Sequence, residues 1–182
     1  MKPLSTTRFL QWTMLSKPAG DRAIYQKIKK LQARSIVEIG LGDGVRAERI
    51  VQVAQKFGAG QTVKYTGIDL FDGRPEDQSP LKLIEMHKRL TTLGIKPQLV
   101  PGDLASSIQR IANSHTRTDL MIVSAGFDQA ELESSWFFVP RMLCAGSFLM
   151  LQNELNGSFK TMSRLEIERL AEQPTKPREA AA

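Results

Sequence analysis

Residues 35–47 constrain the fold of this chain more than any other stretch. They read SIVEIGLGDGVRA, in which a short β-branched run precedes glycines at alternate positions, Gly40, Gly42 and Gly44. An amphipathic helical pattern begins directly after the last glycine. Glycine lets a backbone approach a ligand closely, and a helix N-terminus directs its free N–H groups to the same place. A strand, a glycine-rich turn and a helix in this order predict a nucleotide-binding turn.

The rest of the chain repeats the alternation of apolar runs and amphipathic helical patterns. Five strands are predicted, at residues 36–39, 62–69, 98–100, 120–123 and 147–152. Alternating strands and helices imply right-handed crossovers and a parallel sheet covered on both faces. Ligands bind such sheets beyond the carboxyl ends of the strands. We therefore expect an α/β fold with its site at the strand ends.

Helix ends are predicted from caps and breakers. Asp21 is a candidate cap for a helix over residues 21–32, and Ser79 for one with Pro80 at its first position. One helix is expected over residues 129–144, bent at Pro140. Residues 157–171 fit either a strand or a helix. A third short strand leads to Pro101 and Gly102, and Asp103 caps the helix that follows.

The 182 residues suit one domain. We expect an N-terminal arm at residues 1–20, a domain at residues 21–172 and a disordered tail at residues 173–182. The aromatic residues of the arm either dock on the core or cover a pocket, and docking is favoured. The single cysteine, Cys144, is interpreted as a buried small hydrophobe.

Charge and composition limit partners and location. The net charge of +6 permits binding to a polyanion. The basic residues are scattered, however, so nucleic acid is not favoured as a partner. No apolar run reaches the ~20 residues that span a bilayer, and no signal peptide is recognised. With one cysteine, these features suggest a cytoplasmic protein without membrane contact, and a homodimer formed through the late apolar helix is possible.

The glycine-rich turn matches the sequence motifs of two cofactor classes. Gly42 to Ala47 matches the dinucleotide spelling G-x-G-x-x-A. In that motif an acidic residue follows after about 20 residues, whereas Asp69 lies 69 − 42 = 27 positions after Gly42. An NAD-dependent enzyme is therefore the weaker alternative.

The other spelling is acidic-x-Gly-x-Gly-x-Gly, from Glu38 to Gly44. On this motif the chain resembles the class I S-adenosylmethionine-dependent methyltransferases, over residues 20–155. The resemblance implies a single Rossmann-like three-layer αβα sandwich, with strand order 3-2-1-4-5 and at most one or two further C-terminal strands. It also implies that Asp69 holds the ribose hydroxyls and that Asp103 lies near the adenine amine. Residues 118–126 would close the methionine end of the pocket.

The chemistry of S-adenosylmethionine suits these positions. A ribose diol suits a carboxylate such as Asp69, and the ammonium suits Glu38 or the Gly40 carbonyl. Phe71 and Leu104 are candidates to clamp the adenine. Glu38 could instead pair with Arg46 or Lys30, and Asp103 could be only a helix cap. The full set of expected cofactor-binding residues is Glu38, Gly40, Leu41, Gly42, Gly44, Asp69, Leu70, Phe71, Asp103, Leu104 and Ser124.

The sequence does not indicate which residues would bind the methyl acceptor. The metal-dependent branch of the family has an Asp after strand four and an Asp-Asn pair after strand five. Here Ser124–Ala125 and Gln152–Asn153 stand in those places. Hard divalent cations prefer carboxylates, so no metal site is expected, and Asp128 and Glu154 are the alternative carboxylates that could still form one. No catalytic residue is assigned. The sequence predicts a metal-independent methyltransferase with a small-molecule acceptor; the alternative is a cofactor-binding module that has lost catalysis.

Overall fold

The computed structural model describes residues 4–58, 60–127 and 129–172. One six-stranded sheet has the order β3-β2-β1-β4-β5-β6. The strands are β1 (Ser35–Ile39), β2 (Lys64–Asp69), β3 (Gln98–Pro101), β4 (Thr118–Val123), β5 (Leu143–Gln152) and β6 (Phe159–Ser163). All neighbours are parallel except β5 and β6, which are antiparallel. The predicted fold class and strand order are confirmed, with one C-terminal strand added.

Eight helices surround the sheet in the described part of the chain. They are α1 (Thr6–Leu15), α2 (Asp21–Leu31), α3 (Val45–Phe57), α4 (Leu83–Thr92), α5 (Leu104–Ile111), α6 (Gln129–Trp136), α7 (Val139–Met142) and α8 (Arg164–Ala171), with a 3-10 turn at Phe71–Gly73. Because successive side chains of a strand point to opposite faces of the sheet, β1 contributes residues to two hydrophobic cores, one on each face. Ile36 packs in one with α1 to α4, and Val37 and Ile39 pack in the other with α5 to α8.

The N-terminal helix α1 docks on α2 and α3. Phe9 packs edge-on against Phe57 with ring centroids 4.7 Å apart, and Trp12 lies 6.2 Å from Tyr25. Phe9 and Trp12 are buried, whereas Met14 is 66% exposed. The arm is expected either to dock on the core or to cover a pocket, and in the structure it docks on the core. The predicted tail at residues 173–182 lies outside the described residues.

One predicted helix cap and one predicted helix start are wrong. Gly20 occupies the cap position of α2, and Asp21 is its first helical residue, with a buried side chain that does not cap. Helix α4 begins at Leu83, not at Pro80. The Asp72 carboxylate accepts a hydrogen bond from the Leu83 amide at 3.1 Å and so caps α4 from a distance. Leu81 is buried in the core, which holds the preceding segment in a non-helical path.

The predicted helix over residues 129–144 is also wrong. It is divided into α6 and α7, and β5 begins at Leu143. The Ser147 hydroxyl donates to the Thr118 carbonyl at 2.6 Å, and the strand pairing shifts register beside it. This pairing to β4 starts the strand at Leu143, four residues before the predicted start at residue 147. Cys144 therefore lies on a strand and is only half-buried.

Residues 157–171, which fitted either a strand or a helix, contain both. Strand β6 ends at Ser163, whose hydroxyl caps α8. Ser163 and Glu166 form a reciprocal capping box, each side chain accepting from the other's backbone N–H. The chain therefore closes the sheet with one antiparallel strand and one covering helix.

Candidate ligand-binding site

A cavity of about 520 Å³ opens at the carboxyl ends of β1, β2, β3 and β4. Its floor is the glycine-rich turn between β1 and α3. Its walls are the segments that follow β2, β3 and β4. Six of the predicted residues line it: Gly40, Gly42, Asp69, Leu70, Asp103 and Ser124. The expected position of the site, beyond the strand ends, is where the structure has its cavity.

Two glycines of the turn have backbone conformations that other residues rarely adopt. Gly40 has φ 76°, and a Cβ there would lie 2.9 Å from the Ser124 Cβ. Gly42 has φ 59°, and a Cβ there would meet no heavy atom within 4 Å. Gly40 thus lets β4 approach the turn, whereas Gly42 leaves open space above the backbone. The turn is shaped for a ligand to lie close to the main chain at Gly42.

Asp69 ends β2 and is held from four directions. Oδ2 accepts from the Leu41 amide at 2.7 Å, and Oδ1 accepts from the Phe71 amide at 3.1 Å. The Arg74 guanidinium donates to both oxygens, each at 2.7 Å. A carboxylate offers about four acceptor positions, so the Asp69 carboxylate is saturated in this conformation. A ligand hydroxyl would have to displace Arg74 to reach it.

The environment of Asp69 also fixes its charge. Burial alone would raise the pKa of Asp69, but hydrogen bonds from Arg74 and from the Leu41 and Phe71 amides hold that pKa below its ordinary value. The Arg74 Nη1 additionally donates to the Ser79 carbonyl at 2.6 Å, which ties the loop after β2 across the cavity. Asp69 is therefore an ionised acceptor covered by the Arg74 guanidinium.

Glu38 lies under the turn and does not line the cavity. It is fully buried, and its two oxygens accept from Arg46 Nε at 2.6 Å and from the Tyr65 hydroxyl at 2.5 Å. Arg46 Nη2 donates to the Gly40 carbonyl at 2.7 Å and to the Ser124 hydroxyl. Of the alternatives considered for Glu38, the ion pair with Arg46 is the one present.

Asp103 serves as the cap of α5, as predicted. Its carboxylate accepts from the Ser106 amide at 2.9 Å and from the Ser106 hydroxyl at 2.6 Å. These hydrogen bonds lower the pKa of Asp103. Its side chain is exposed and lines the cavity as well, so capping and ligand contact are compatible at this position.

Five predicted residues lie away from the cavity surface. Phe71 and Leu104 are buried in opposite cores, and neither is among the lining residues. Leu70, which is 38% exposed, presents apolar surface in their place. The other three are Glu38, Leu41 and Gly44, whose contribution is to the shape and charge of the turn.

A second cavity of about 390 Å³ adjoins the first. The two share residues 124–127 and Gln152 as a common wall. Phe127, Leu132 and Leu151 give the second cavity an apolar lining, and Gln152 and Glu154 give it polar groups. The Gln152 and Glu154 side chains accept from the Ala125 amide at 3.1 Å and the Gly126 amide at 3.3 Å, respectively. The segment after β4 is thus held by one side chain at the end of β5 and one just after it.

The expected set of cofactor-binding residues leaves out several residues that line the first cavity, above all Arg46, Arg74, Phe127 and Gln152. Arg74 lies five positions after Asp69, so proximity along the chain was a usable signal. Arg46 reaches Ser124 across 78 positions, which no sequence pattern indicated. Within the described residues, no group of three or more His, Cys, Asp or Glu side chains could hold a metal ion. Among the helices described, none is long and apolar enough to span a membrane.

Comparisons with known proteins agree on the fold. No protein-family model matches the chain, and no curated protein matches it. Solved structures do match. CalS11, a calicheamicin methyltransferase, aligns with a TM-score of 0.59 at 13% identity, over 92% of this chain and 71% of its own.

Two further methyltransferase structures align over most of the chain. The O-methyltransferase TomG of Streptomyces achromogenes, solved with S-adenosylmethionine, gives a TM-score of 0.53 at 15% identity, over 78% of this chain and 57% of its own. PaMTH1 of Podospora anserina, solved with S-adenosylhomocysteine, gives a TM-score of 0.50 at 13% identity, over 80% of this chain and 60% of its own. At these identities the likeness shows the fold: the chain has the Rossmann-like fold of the class I methyltransferases.

Proposed function

We propose that this chain, which has the fold of the class I methyltransferases, binds S-adenosylmethionine and transfers its methyl group to a small molecule. The observation that carries the proposal is the shared wall between the two cavities. Residues 124–127 and Gln152 border both the cavity above the glycine turn and the apolar cavity beside it. A cofactor in one and an acceptor in the other would meet across that wall. The methyltransferases of similar fold support this proposal.

The residues of the first cavity fit the nucleoside part of the cofactor. Asp69 would accept from the ribose hydroxyls once Arg74 withdraws, and Asp103 would lie near the adenine amine. Leu70 supplies apolar surface for the adenine face. The open space at Gly42 allows the ligand to approach the backbone. When bound, the cofactor supplies an electrophilic methyl group on a sulfonium.

Methyl transfer requires little from the protein beyond alignment. The nucleophile and the methyl carbon must be held close and in line, and such positioning supplies much of the rate. Phe127, Leu132 and Leu151 would exclude water and position an acceptor of apolar character. Glu154 is the carboxylate at the second cavity, and it would help to deprotonate an acceptor hydroxyl or amine.

The proposed reaction is independent of a metal ion. Ser124, Gln152 and Asn153 stand at the ends of β4 and β5, and they offer hydroxyl and amide groups in place of carboxylates. Magnesium and calcium are usually held through carboxylates. The donor set therefore supports alignment by the protein alone.

Isothermal titration calorimetry with S-adenosylhomocysteine tests the binding step. We expect saturable binding by the full chain and none of comparable strength with NAD. Asp69→Ala should weaken S-adenosylhomocysteine binding at least tenfold, about 1.4 kcal/mol. Asp77→Ala, in the same loop and exposed, is the matched control. An unchanged affinity in Asp69→Ala, or the absence of binding at millimolar concentration, would overturn the proposal.

A second candidate is a cofactor-binding module without catalysis. The observation that favours it is the neutral character of the side chains at the ends of β4 and β5, namely Ser124, Gln152 and Asn153. Incubation with S-adenosylmethionine and a panel of phenols, sugars and amines separates the two candidates. Acceptor-dependent, saturable release of S-adenosylhomocysteine indicates catalysis. Binding without release across the panel indicates the module.

A further inference from the structure

The excess positive charge of the chain lies in its N-terminal part. Basic residues occur throughout the sequence, but residues 4–34 hold seven basic side chains and a single acidic one, Asp21. The formal charge of this segment is therefore 7 − 1 = +6, equal to that of the whole chain. Because Asp21 is 3% exposed, the described surface of α1 and α2 presents basic groups without an exposed carboxylate. Such an asymmetry favours an anionic partner.

The fold gathers cations around α1. Arg8 and Arg49 lie over the Trp12 ring, 5.2 Å and 5.5 Å from its centroid. Lys56 Nζ donates to the Leu4 carbonyl at 2.9 Å, just before the helix begins. The full set of basic side chains that border α1 and its ends is Arg8, Arg22, Lys29, Arg49 and Lys56.

Neighbouring carboxylates do not neutralise this basic rim. Among the described residues, the ion pairs are made by four other arginines, namely Arg46, Arg74, Arg89 and Arg164. Apart from Asp21, the acidic side chain on α1, α2 and α3 is Glu48, which pairs with Arg89. The five cations around α1 are therefore available to anionic groups from outside the molecule.

The outward face of α1 adds exposed aliphatic side chains to the basic rim. Phe9 and Trp12 are buried against the core, whereas Leu10, Met14 and Leu15 are 50%, 66% and 69% exposed. Leu10 and Met14 are four positions apart, so they lie on one face of the helix. Because α1 packs on other helices and not on the sheet, this face belongs to an additional outer layer of the molecule.

We propose that α1 and its basic rim dock on the surface of a bilayer that contains anionic phospholipid. The cations meet the anionic headgroups, and Leu10 and Met14 enter the boundary between headgroups and acyl chains. A nucleic acid also offers phosphates to the cations, but it has no apolar layer for these aliphatic side chains. The surface lies outside both cavities, so the proposal does not rest on the proposed function.

The sequence has no apolar run long enough to cross a bilayer, and from this no membrane contact is expected. That absence concerns spanning and not binding at the surface, since interfacial helices need only one apolar face and a basic rim. The contact proposed for α1 is therefore with one leaflet, through side chains that are already exposed.

Sedimentation of the full chain with lipid vesicles tests the proposal. Vesicles of phosphatidylcholine alone are compared with vesicles that also contain phosphatidylserine. We expect at least about tenfold tighter binding to the phosphatidylserine vesicles. This binding should weaken in ~1 M salt, where the Debye length falls to ~3 Å. Equal binding to the two kinds of vesicle, or binding to neither, would overturn the proposal.

Two double substitutions test the contribution of the aliphatic side chains. Leu10→Ser with Met14→Ser should weaken binding to the phosphatidylserine vesicles at least about fivefold. Ile84→Ser with Leu165→Ser removes aliphatic side chains that are 56% and 67% exposed elsewhere, and this control should bind as the wild type does. Unchanged binding by the α1 variant would show that no side chain of this face enters the bilayer, and the proposal would fail.

A second pair of variants tests the basic rim. Arg8→Gln with Lys29→Gln should weaken binding at least about tenfold. Lys82→Gln with Lys88→Gln, which removes two exposed lysines beside and on α4, changes the net charge equally and should have a much smaller effect. Equal losses in the two variants would mean that net charge alone governs binding, which contradicts a docking surface at α1.

A nucleic acid and a second copy of the chain are the competing occupants of this surface. A single-stranded oligonucleotide that binds more tightly than the phosphatidylserine vesicles, with an affinity unchanged by Leu10→Ser with Met14→Ser, would replace the proposal by a nucleic-acid site. Sedimentation velocity tests the other occupant. A dimer that the same variant dissociates, together with no binding to vesicles, would make α1 a dimer contact and would also refute the proposal.

Discussion

Arg74 and Asp69 form the contact on which ligand access depends. The guanidinium donates to both carboxylate oxygens, and the two side chains are 7% and 6% exposed. Asp69 keeps two backbone donors, the Leu41 and Phe71 amides, so it stays ordered when Arg74 leaves. At the residue scale, the Arg74–Asp69 charge pair closes the free site. Under the proposed function, a ribose diol would have to displace Arg74 from Asp69.

Removal of Arg74 should therefore improve ligand binding while it costs stability. We expect Arg74→Met to bind S-adenosylhomocysteine at least about threefold more tightly than the wild type. Breaking a buried ion pair should lower the free energy of unfolding by about 3 kcal/mol. Calorimetry and urea denaturation measure the two effects. Arg164→Met, which breaks the exposed pair with Glu168, should leave binding unchanged. Weaker binding by Arg74→Met would mean that Arg74 holds the ligand.

Asp21 provides a pH-dependent test of the buried cluster around Arg46. Its pKa is raised by burial, and its Oδ1 has no hydrogen-bond partner. A carboxyl whose folded pKa exceeds its unfolded pKa contributes stability below the unfolded pKa, and loses it as pH rises through the folded pKa. Asp21→Asn should thus gain about 1 kcal/mol of stability at pH 7. The gain should vanish below about pH 4.

Urea denaturation of Asp21→Asn between about pH 3.5 and about pH 8 measures this dependence. This range brackets the titration of a free Asp, which lies at about pH 4. Asp77→Asn is the exposed control and should show no such profile. A variant equally destabilised at every pH would contradict the role of the Asp21 charge.

At the scale of elements, the strand, turn and helix at residues 35–57 follow the sequence closely. Their signals are local: a β-branched run, alternate glycines and a helical repeat. The helix predicted through Cys144 failed because the pairing of Leu143 with Thr118 is a contact between distant parts of the chain. The start of α4 failed for a similar reason, since Asp72 caps it from eleven positions away. Local patterns predict elements, and long-range pairing sets their ends.

Substitutions at Gly42 and Gly44 should separate an effect on protein stability from an effect on ligand binding. Gly44 has φ 77°, and a Cβ there would lie 2.5 Å from Met86 Sδ. Gly42→Ala should cost about 1 kcal/mol of stability from backbone strain alone. Gly44→Ala should cost about 3 kcal/mol, because overpacking adds to the strain. Only Gly42 lines the cavity, so Gly42→Ala should lose more affinity for S-adenosylhomocysteine.

Urea denaturation and calorimetry on both glycine variants check this separation. Full wild-type affinity in Gly42→Ala would contradict the close approach of a ligand to that backbone. Equal destabilisation of the two variants would contradict the packing described for Gly44.

At the scale of the whole molecule, the fold and the residues of the first cavity could be predicted from the sequence to a greater extent than those of the second cavity. Gly40, Gly42, Asp69 and Asp103 follow strands that could be recognised, so their place at one sheet edge was predictable. The side-chain direction of a long residue such as Arg46 depends on partners that only the folded chain brings together. The wall shared by the two cavities likewise joins segments that follow β4 and β5.

A crystal structure of the chain with S-adenosylhomocysteine would show whether the first cavity binds this ligand through Asp69. We predict that the ligand lies along Gly40 and Gly42, with both ribose hydroxyls on Asp69 and the Arg74 guanidinium displaced from that carboxylate. Its sulfur should point toward the wall at residues 124–127. Ligand density elsewhere on the molecule, or a cavity free of ligand at saturating concentration with Arg74 still on Asp69, would contradict the account.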